Sequence, residues 1–229
     1  FLELQGDFEL NKPSLRQYLA YGVNFSPTTL FKNINKLNAG TYIEVDYSNN
    51  EFSDSIFKYW EIDSFIDDKQ YNYDDFQNLF SEAVNKRTIS DVPIASFLSG
   101  GIDSTAIIKK LVELDFEPNT YSVIVRNKKY NEKYYIDQVV NKYDTNHQEV
   151  NVDENIPSQI ISEAIDCLDE PFGDPSIVPS YYLSKLISSE YKVALSGDGG
   201  DELLGGYSRL KNHLTNKNRI SQSISKLYK

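Results

Sequence analysis

Residues 99–104, which read Ser-Gly-Gly-Ile-Asp-Ser, constrain the fold of this chain more than any other stretch. They follow the apolar run 92–98, which predicts a buried strand, and they precede residues 105–112, which predict a helix with a broad apolar face. A strand, a glycine turn and a helix N-terminus bring unpaired N–H groups and the positive end of the helix dipole to one point. The pattern therefore predicts an α/β unit with a loop that binds a phosphate group.

The side chains of this loop fit the same interpretation. Ser99 and Ser104 supply hydroxyl donors, and Asp103 supplies a carboxylate that can hold Mg²⁺ against phosphates. A glycine pair between a strand and a helix can also be only a tight connection, and an aspartate at a helix start can be only a cap. No lysine lies inside the loop, so it differs from the Walker phosphate-binding pattern.

Two further segments narrow the interpretation. Residues 193–207 read Val-Ala-Leu-Ser-Gly-Asp-Gly-Gly-Asp-Glu-Leu-Leu-Gly-Gly-Tyr, and residues 168–176 read Leu-Asp-Glu-Pro-Phe-Gly-Asp-Pro-Ser. Residues 99–104 resemble the pyrophosphate loop of the ATP pyrophosphatases. The other two segments resemble, in the same order, segments of the glutamine-hydrolysing asparagine synthetase family, and residues 193–207 are similar to its second nucleotide-site segment.

The order of predicted elements gives the fold class. After residue 75, apolar runs predict strands and helices in alternation, which favours a parallel sheet with helices on both faces. The resemblance implies an adenine nucleotide alpha-hydrolase-like fold, preceded by a β-rich remnant of an N-terminal-nucleophile glutaminase domain. We expect residues 1–62 to be the C-terminal part of that amidotransferase type 2 domain, with strands at 41–47 and 57–62. Residues 63–75 are then a linker, and residues 76–229 an ATP-pyrophosphatase synthetase domain that is truncated at its C-terminus.

The resemblance implies a ligase of asparagine biosynthesis. It amidates aspartate through β-aspartyl-AMP, releases AMP and pyrophosphate, uses ATP and Mg²⁺, and takes ammonia from glutamine hydrolysed by its own upstream domain. Three relatives with the same core stay open: amidotransferases acting on polysaccharide precursors, β-lactam synthetases and peptide-cyclising synthetases. A non-catalytic nucleotide-binding module is the alternative from another class.

The resemblance also implies roles for individual residues. Asp103 and Asp201 are the implied metal ligands, and Ser104 and Asp198 the implied catalytic residues. Family members often carry glutamate where Asp198 stands, so its role as a base stays open, and Val123 can equally be a core residue. The implied nucleotide contacts are Leu98, Ser99, Gly100, Gly101, Asp103, Ser104, Val123, Ser196 and Gly197.

Composition limits the partners. The chain of 229 residues carries a formal net charge of -11, which disfavours nucleic acids and therefore the tRNA-modifying relatives. We expect a cytoplasmic protein with small-molecule substrates and no membrane segment, and a homodimer stays open. Cys167, the only cysteine, is predicted to be a buried apolar residue, and the acids at 169 and 170 to cap or solvate a turn.

The chain starts at Phe1 and contains no methionine, so we expect it to be an excerpt of a longer protein. The family's downstream lysine, which stabilises the transition state of adenylation, would lie beyond Lys229. We therefore expect the excerpt alone to be inactive.

Overall fold

The computed structural model describes residues 9–48, 50–66, 70, 72–125, 131–152 and 156–208. The chain forms two compact units, one made of Phe1–Asn72 with Pro157–Tyr181 and the other of Tyr73–Ile156 with Tyr182–Lys229. In chain order the described elements are α1 (Lys12–Tyr21), β1 (Thr41–Ser48), β2 (Glu51–Lys58), α2 (Tyr73–Arg87), β3 (Ile94–Phe97), α3 (Ile102–Glu113), β4 (Asn119–Val125), α4 (Lys133–Tyr143), β5 (Asn146–Val152), α5 (Ser158–Asp166), α6 (Ile177–Ile187), β6 (Val193–Leu195) and α7 (Gly200–Leu204). None of the described helices has the length and apolarity that a membrane crossing requires.

The first unit contains an antiparallel hairpin. Strand β1 pairs with β2 over their full lengths, from Thr41 opposite Lys58 to Ser48 opposite Glu51. The prediction of a strand at residues 57–62 is wrong, because β2 ends at Lys58 and a short 3-10 helix follows at Ile62–Phe65. The strand lies earlier than expected, and aromatic pairs across the hairpin, Tyr42 with Phe57 and Tyr47 with Phe52, support this register.

Within the same unit, the segment around residue 170 is held by residues 22–36. The Glu170 carboxylate accepts a hydrogen bond from Asn24 Nδ2 at 3.1 Å and forms an ion pair with Lys36. The backbone N–H of Gly173 also donates to the carbonyl of Gly22 at 2.7 Å. The expectation that the acid at 170 caps or solvates a turn is therefore wrong, since its side chain is 17% exposed and is bound by two partners.

The expectation for the cysteine is wrong as well. Cys167 follows the last residue of α5 and is exposed. Helix α5 buries only Ala164 among its residues, so the helix end that carries the thiol is not covered by a core.

The second unit is a four-stranded sheet in the order β5-β4-β3-β6, with all three strand pairings parallel. One face packs on buried side chains of α2, α3 and α4, namely Val84, Ile108, Leu111, Ile136 and Val139. The opposite face packs on Leu183 and Ile187 of α6. The predicted parallel sheet with helices on both faces is thus confirmed. Chain order reverses between β3 and its neighbour β6, and ligands bind in such folds at the carboxyl ends of strands that flank such a reversal.

Candidate functional site

The first loop begins where β3 ends. Leu98 is buried in the core, its N–H donates to the Tyr121 carbonyl at 2.9 Å, and its own carbonyl accepts from the Ser122 hydroxyl. The backbone of Leu98 therefore anchors the loop to β4, while its side chain belongs to the core.

Gly100 is required by both conformation and space. Its φ is +77°, a region that side chains with a Cβ atom rarely adopt. A Cβ atom at this position would lie 2.9 Å from Tyr135 Cβ and 3.0 Å from the Ile136 nitrogen, both on α4. The glycine lets the loop turn tightly against α4, so its role here is to shape the loop.

The two serines of the loop are linked to each other. The Ser104 hydroxyl accepts from the Ser99 N–H at 3.3 Å, lies 3.1 Å from the Ser99 hydroxyl, and donates to the Gly101 carbonyl at 3.2 Å. The Gly101 N–H in turn donates to the Ser99 hydroxyl at 3.3 Å. These long hydrogen bonds fix the shape of the loop. They hold the hydroxyls of Ser99 and Ser104 close to each other and to the Gly101 N–H.

Asp103 is the second residue of α3. The helix starts after Gly101, and no side chain caps it. Asp103 therefore is not a cap, and the first N–H groups of a twelve-residue helix have no side-chain acceptor. An anion bound there would gain from these donors and from the helix dipole.

The second loop follows β6 and leads into a short helix that the sequence analysis did not predict. The Ser196 hydroxyl donates to Asp198 Oδ2 at 3.0 Å. Helix α7 starts after Gly199, whose φ is +89°, and again no side chain caps it. Asp201 is its second residue, the position that Asp103 has in α3, and likewise is not a cap.

Both loops line one cavity of about 260 Å³. A second cavity of about 230 Å³ shares Asp103, Gly197, Asp198 and Asp201 with it. The residues around the first are Phe97, Ser99, Gly101, Asp103, Ser104, Ser196, Gly197, Asp198 and Asp201. The second adds Gly199, Glu202 and Tyr207.

Four lining residues were not predicted, namely Phe97, Gly199, Glu202 and Tyr207. Phe97 is the last residue of β3, and its position at a strand end next to the loop was a signal that could have identified it. Glu202 accepts a hydrogen bond from the Tyr207 hydroxyl at 2.7 Å, which closes one side of the second cavity. This pairing depends on the turn after α7 and has no signal in the sequence.

Three predicted contacts do not line either cavity. Leu98 and Gly100 serve the loop as described above. Val123 lies opposite Val150 in the sheet and packs against the core that includes Tyr121. The side chain of Val123 is therefore a core residue in this structure.

The charged side chains that line the two cavities are all acidic. Asp103, Asp198 and Asp201 line both, Glu202 lines one, and no lysine or arginine is among the described residues that surround them. A polyphosphate brought to this place would be repelled unless a cation came with it. Within the described residues no group of three or more His, Cys, Asp or Glu side chains could hold a metal ion unaided.

Mg²⁺ nevertheless fits the donors that are present. This ion prefers oxygen ligands and is usually held by one or two carboxylates together with phosphate oxygens and water. Asp103 and Asp201 supply two carboxylates from two different loops at one cavity. Two carboxylates do not complete the coordination of such an ion, so its other ligands would have to be water or oxygens of a bound phosphate.

The histidine that the structure describes lies elsewhere. His147 on β5 has its Nδ1 2.9 Å from the Thr120 hydroxyl, and its Nε2 is buried with no hydrogen-bond partner. Burial lowers the pKa of His147 below its usual value of 6.5. It does not line either cavity.

Comparison with known proteins gives one consistent family. Residues 75–227 match the model of the asparagine synthase family. The chain is 34% identical over 209 residues to a putative glutamine-hydrolysing asparagine synthetase 2 of Methanocaldococcus jannaschii, covering 90% of this chain and 40% of that protein. It is 27% identical to the glutamine-hydrolysing asparagine synthetase 1 of Bacillus subtilis, covering 97% and 35% respectively. The chain thus spans about two fifths or less of the length of these relatives.

Solved structures are more distant. The NMN synthetase of Francisella tularensis aligns over 62% of this chain and 61% of its own, with 11% identity and a TM-score of 0.41. A predicted subunit of a tRNA methyltransferase from Methanocaldococcus jannaschii aligns over 46% and 52%, with 16% identity and a TM-score of 0.33.

Proposed function

Since this chain belongs to the asparagine synthase family, we propose that the complete protein carrying it is an ATP-dependent ligase that converts a carboxylate to an amide. The proposed substrate is aspartate. The observation that supports this most is that the loops after β3 and β6 contribute serine hydroxyls, helix N–H groups and two carboxylates to one cavity. Such a set suits the binding of a metal-complexed triphosphate.

The proposed chemistry has two steps. A carboxylate oxygen of aspartate attacks the α-phosphorus of ATP, the bond to the β-phosphate breaks, and pyrophosphate leaves as β-aspartyl-AMP forms. Ammonia then attacks the acyl carbon, AMP leaves with the electron pair of the broken C–O bond, and a proton is lost from nitrogen. The first step is needed because a free carboxylate has no leaving group that ammonia can displace.

The first loop is proposed to receive the departing pyrophosphate. Its donors are the N–H groups at the start of α3 and the hydroxyls of Ser99 and Ser104, with Gly100 and Gly101 allowing the backbone to come close. The N–H groups of the helix start are already in place as charge develops on the leaving group. The two hydroxyls bond within the loop and would have to rotate about their C–O bonds to donate to that group. Ser196 and Gly197 of the second loop would contact the nucleotide from the other side.

Asp103 and Asp201 are proposed to hold Mg²⁺ between the two loops. The bound ion would neutralise the phosphate charge that the acidic cavity otherwise repels. Both carboxylates are positioned by their own helix starts and are not used as caps, which leaves their oxygens for a ligand.

Asp198 is proposed to take up the proton lost by the attacking ammonia. Its side chain is exposed at the cavity and accepts one hydrogen bond, from the Ser196 hydroxyl at 3.0 Å. A carboxylate with a free oxygen at this place can serve as a general base.

We also propose that residues 1–62 are the closing part of a glutaminase domain, that 63–75 are the linker, and that 76–229 belong to the synthetase domain. The hairpin of β1 and β2 supports the first of these. Nearly all of its side chains are exposed, including Ile43, Ile56 and Phe52, and in the part of the chain that the structure describes no third strand pairs with it. Ammonia from glutamine would come from that domain.

The test is the release of pyrophosphate from ATP and Mg²⁺ by the complete protein, with ammonium as nitrogen source and aspartate added or left out. Release that requires aspartate, with AMP and asparagine formed in equal amounts, would support the proposal. If ATP binds but aspartate has no effect, another carboxylate is the substrate, and a panel of polysaccharide precursors and amino acids replaces aspartate. If ATP does not bind, the remaining hypothesis is a module without catalytic activity.

A further inference from the structure

Two glycines of the second loop surround Asp103 of the first. A Cβ atom on Gly200 would lie 2.6 Å from Asp103 Cγ, and 2.8 and 2.9 Å from its two carboxylate oxygens. A Cβ atom on Gly197 would lie 3.0 Å from Asp103 Cβ and 3.1 Å from the Ser104 nitrogen. The Asp103 carboxylate thus occupies the space that a side chain at residue 200 would fill.

The backbone does not explain why residue 200 is glycine. Gly100, Gly199 and Gly205 all have positive φ, whereas Gly200 does not. Gly200 is the first residue of α7, and alanine is in general a better helix former than glycine, by about 1 kcal/mol in helix interiors. What glycine provides at this position is space.

We propose that Gly200 is a positioning residue that sets the orientation of the Asp103 carboxylate. The proposal rests on the proposed function in one respect, namely that Asp103 is a metal ligand. With any larger residue at position 200, the carboxylate must rotate away from the second loop, and thus away from the cavity wall that holds Asp201. Gly200 would then affect the binding of the metal by Asp103 without contacting the metal itself.

The test compares Gly200→Ala with wild type in the complete protein. Mn²⁺ binding in the presence of ATP, followed by the electron paramagnetic resonance signal of free Mn²⁺, reports affinity without turnover. We expect Gly200→Ala to weaken Mn²⁺ binding about tenfold and to leave the midpoint of thermal unfolding unchanged or slightly raised. The Mg²⁺ concentration for half-maximal pyrophosphate release should rise by the same factor.

Two further variants make the result specific. In an Asp103→Ala background, Gly200→Ala should have no additional effect on Mn²⁺ affinity, because the side chain it displaces is gone. Gly205→Ala, at the other end of α7, strains a residue with φ +69° that has no atom within 4 Å of the added Cβ. It should lower stability without changing Mn²⁺ affinity.

A crystal structure of Gly200→Ala separates this proposal from the proposed function. We expect the Asp103 side chain in a different rotamer, with α3 and α7 unmoved. An unchanged Asp103 rotamer, wild-type Mn²⁺ affinity, or an effect that persists in the Asp103→Ala background would each overturn the positioning role. Wild-type Mn²⁺ affinity in Asp103→Ala would instead overturn the metal role of Asp103, while the rotamer in Gly200→Ala would still test the contact itself.

Discussion

The loops after β3 and β6 have the same plan but different support. Each begins with Ser-Gly, each contains a glycine with positive φ, and each leads into an uncapped helix whose second residue is aspartate. The helix after the first loop, α3, has twelve residues and buries Ser104, Ile108 and Leu111. The helix after the second, α7, has five residues and buries none.

The two loops therefore differ in what supports them. The first loop is fixed by the core beneath it, so its shape depends on packing that lies away from the cavity. The helix of the second loop buries no residue, and its first residue, Gly200, lies beside the carboxylate of Asp103. The first loop should therefore tolerate little change in its supporting helix, and the second loop should tolerate more.

The largest effect should come from the core beneath the first loop. Ile108 is 0% exposed, and Ile108→Ala should lower the free energy of unfolding by about 4 kcal/mol, through lost burial and a cavity. Leu203 lies in α7, the helix after the second loop, and is 78% exposed. Leu203→Ala should change the free energy of unfolding by less than about 0.5 kcal/mol. Urea unfolding of both variants measures the contrast, and equal losses would remove the proposed difference in support.

The next effect tests whether the two carboxylates act together despite that difference. Asp103→Ala and Asp201→Ala should each slow pyrophosphate release at least about 100-fold, a loss near 2.7 kcal/mol of transition-state stabilisation. The double variant should lose little more than either single variant, because both lose the same metal ion. Asp46→Ala, which removes an exposed carboxylate from β1, is the control and should keep full activity.

A smaller effect should follow from the serines. Ser104 is 6% exposed and its hydroxyl bonds to Ser99 and Gly101, so Ser104→Ala leaves polar groups of the loop without partners. We expect a loss of stability of about 1.5 kcal/mol together with reduced activity. Ser196→Ala removes one hydrogen bond, to Asp198, and should cost only about 0.5 kcal/mol. A Ser196→Ala variant as unstable as Ser104→Ala would contradict the comparison.

The sequence predicted most of the second unit because its signals are local. Apolar runs followed by Ser-Gly or Ser-Gly-Gly indicated both β3 and β6 and the loops at their ends, and the parallel sheet is confirmed. The roles given to the loop residues stay predictions. Helix α7 was missed because a five-residue helix that begins with Gly200 and is flanked by Gly199 and Gly205 has too little periodicity to be detected.

What could not be predicted depends on contacts between distant residues. The acid at 170 looks like a turn residue by its neighbours, and only the folded first unit brings Asn24 and Lys36 to it. The same holds for the contact of Asp103 with Gly200, since the two lie 97 positions apart and a glycine-rich stretch alone suggests flexibility. The local sequence pattern was enough to predict most helices and strands of the second unit, whereas these contacts form only when the chain folds.

The smallest effect should come from the edge of the sheet that supports the first loop. His147 on β5 contacts Thr120 on β4, and the charged groups facing it are Glu149 on β5 and Lys133 and Asp137 on α4. Burial lowers the pKa of His147 below 6.5, with the charge of Glu149 opposing this. The unfolded chain therefore binds a proton at a higher pH than the folded one does, and stability is lost as the pH falls below about 6.5.

Unfolding in urea at pH 7.5 and pH 5.5 tests this, with His147→Gln as the matched variant. The wild type should lose more stability between the two pH values than the variant, whose amide can still bond to Thr120 but cannot take up a proton. The carboxylates of Glu113 and Asp174, whose pKa values are lowered by hydrogen bonds, are present in both proteins and contribute equally. An identical pH dependence in the two proteins would mean that the β5 edge does not carry a pH-sensitive part of the support for the first loop.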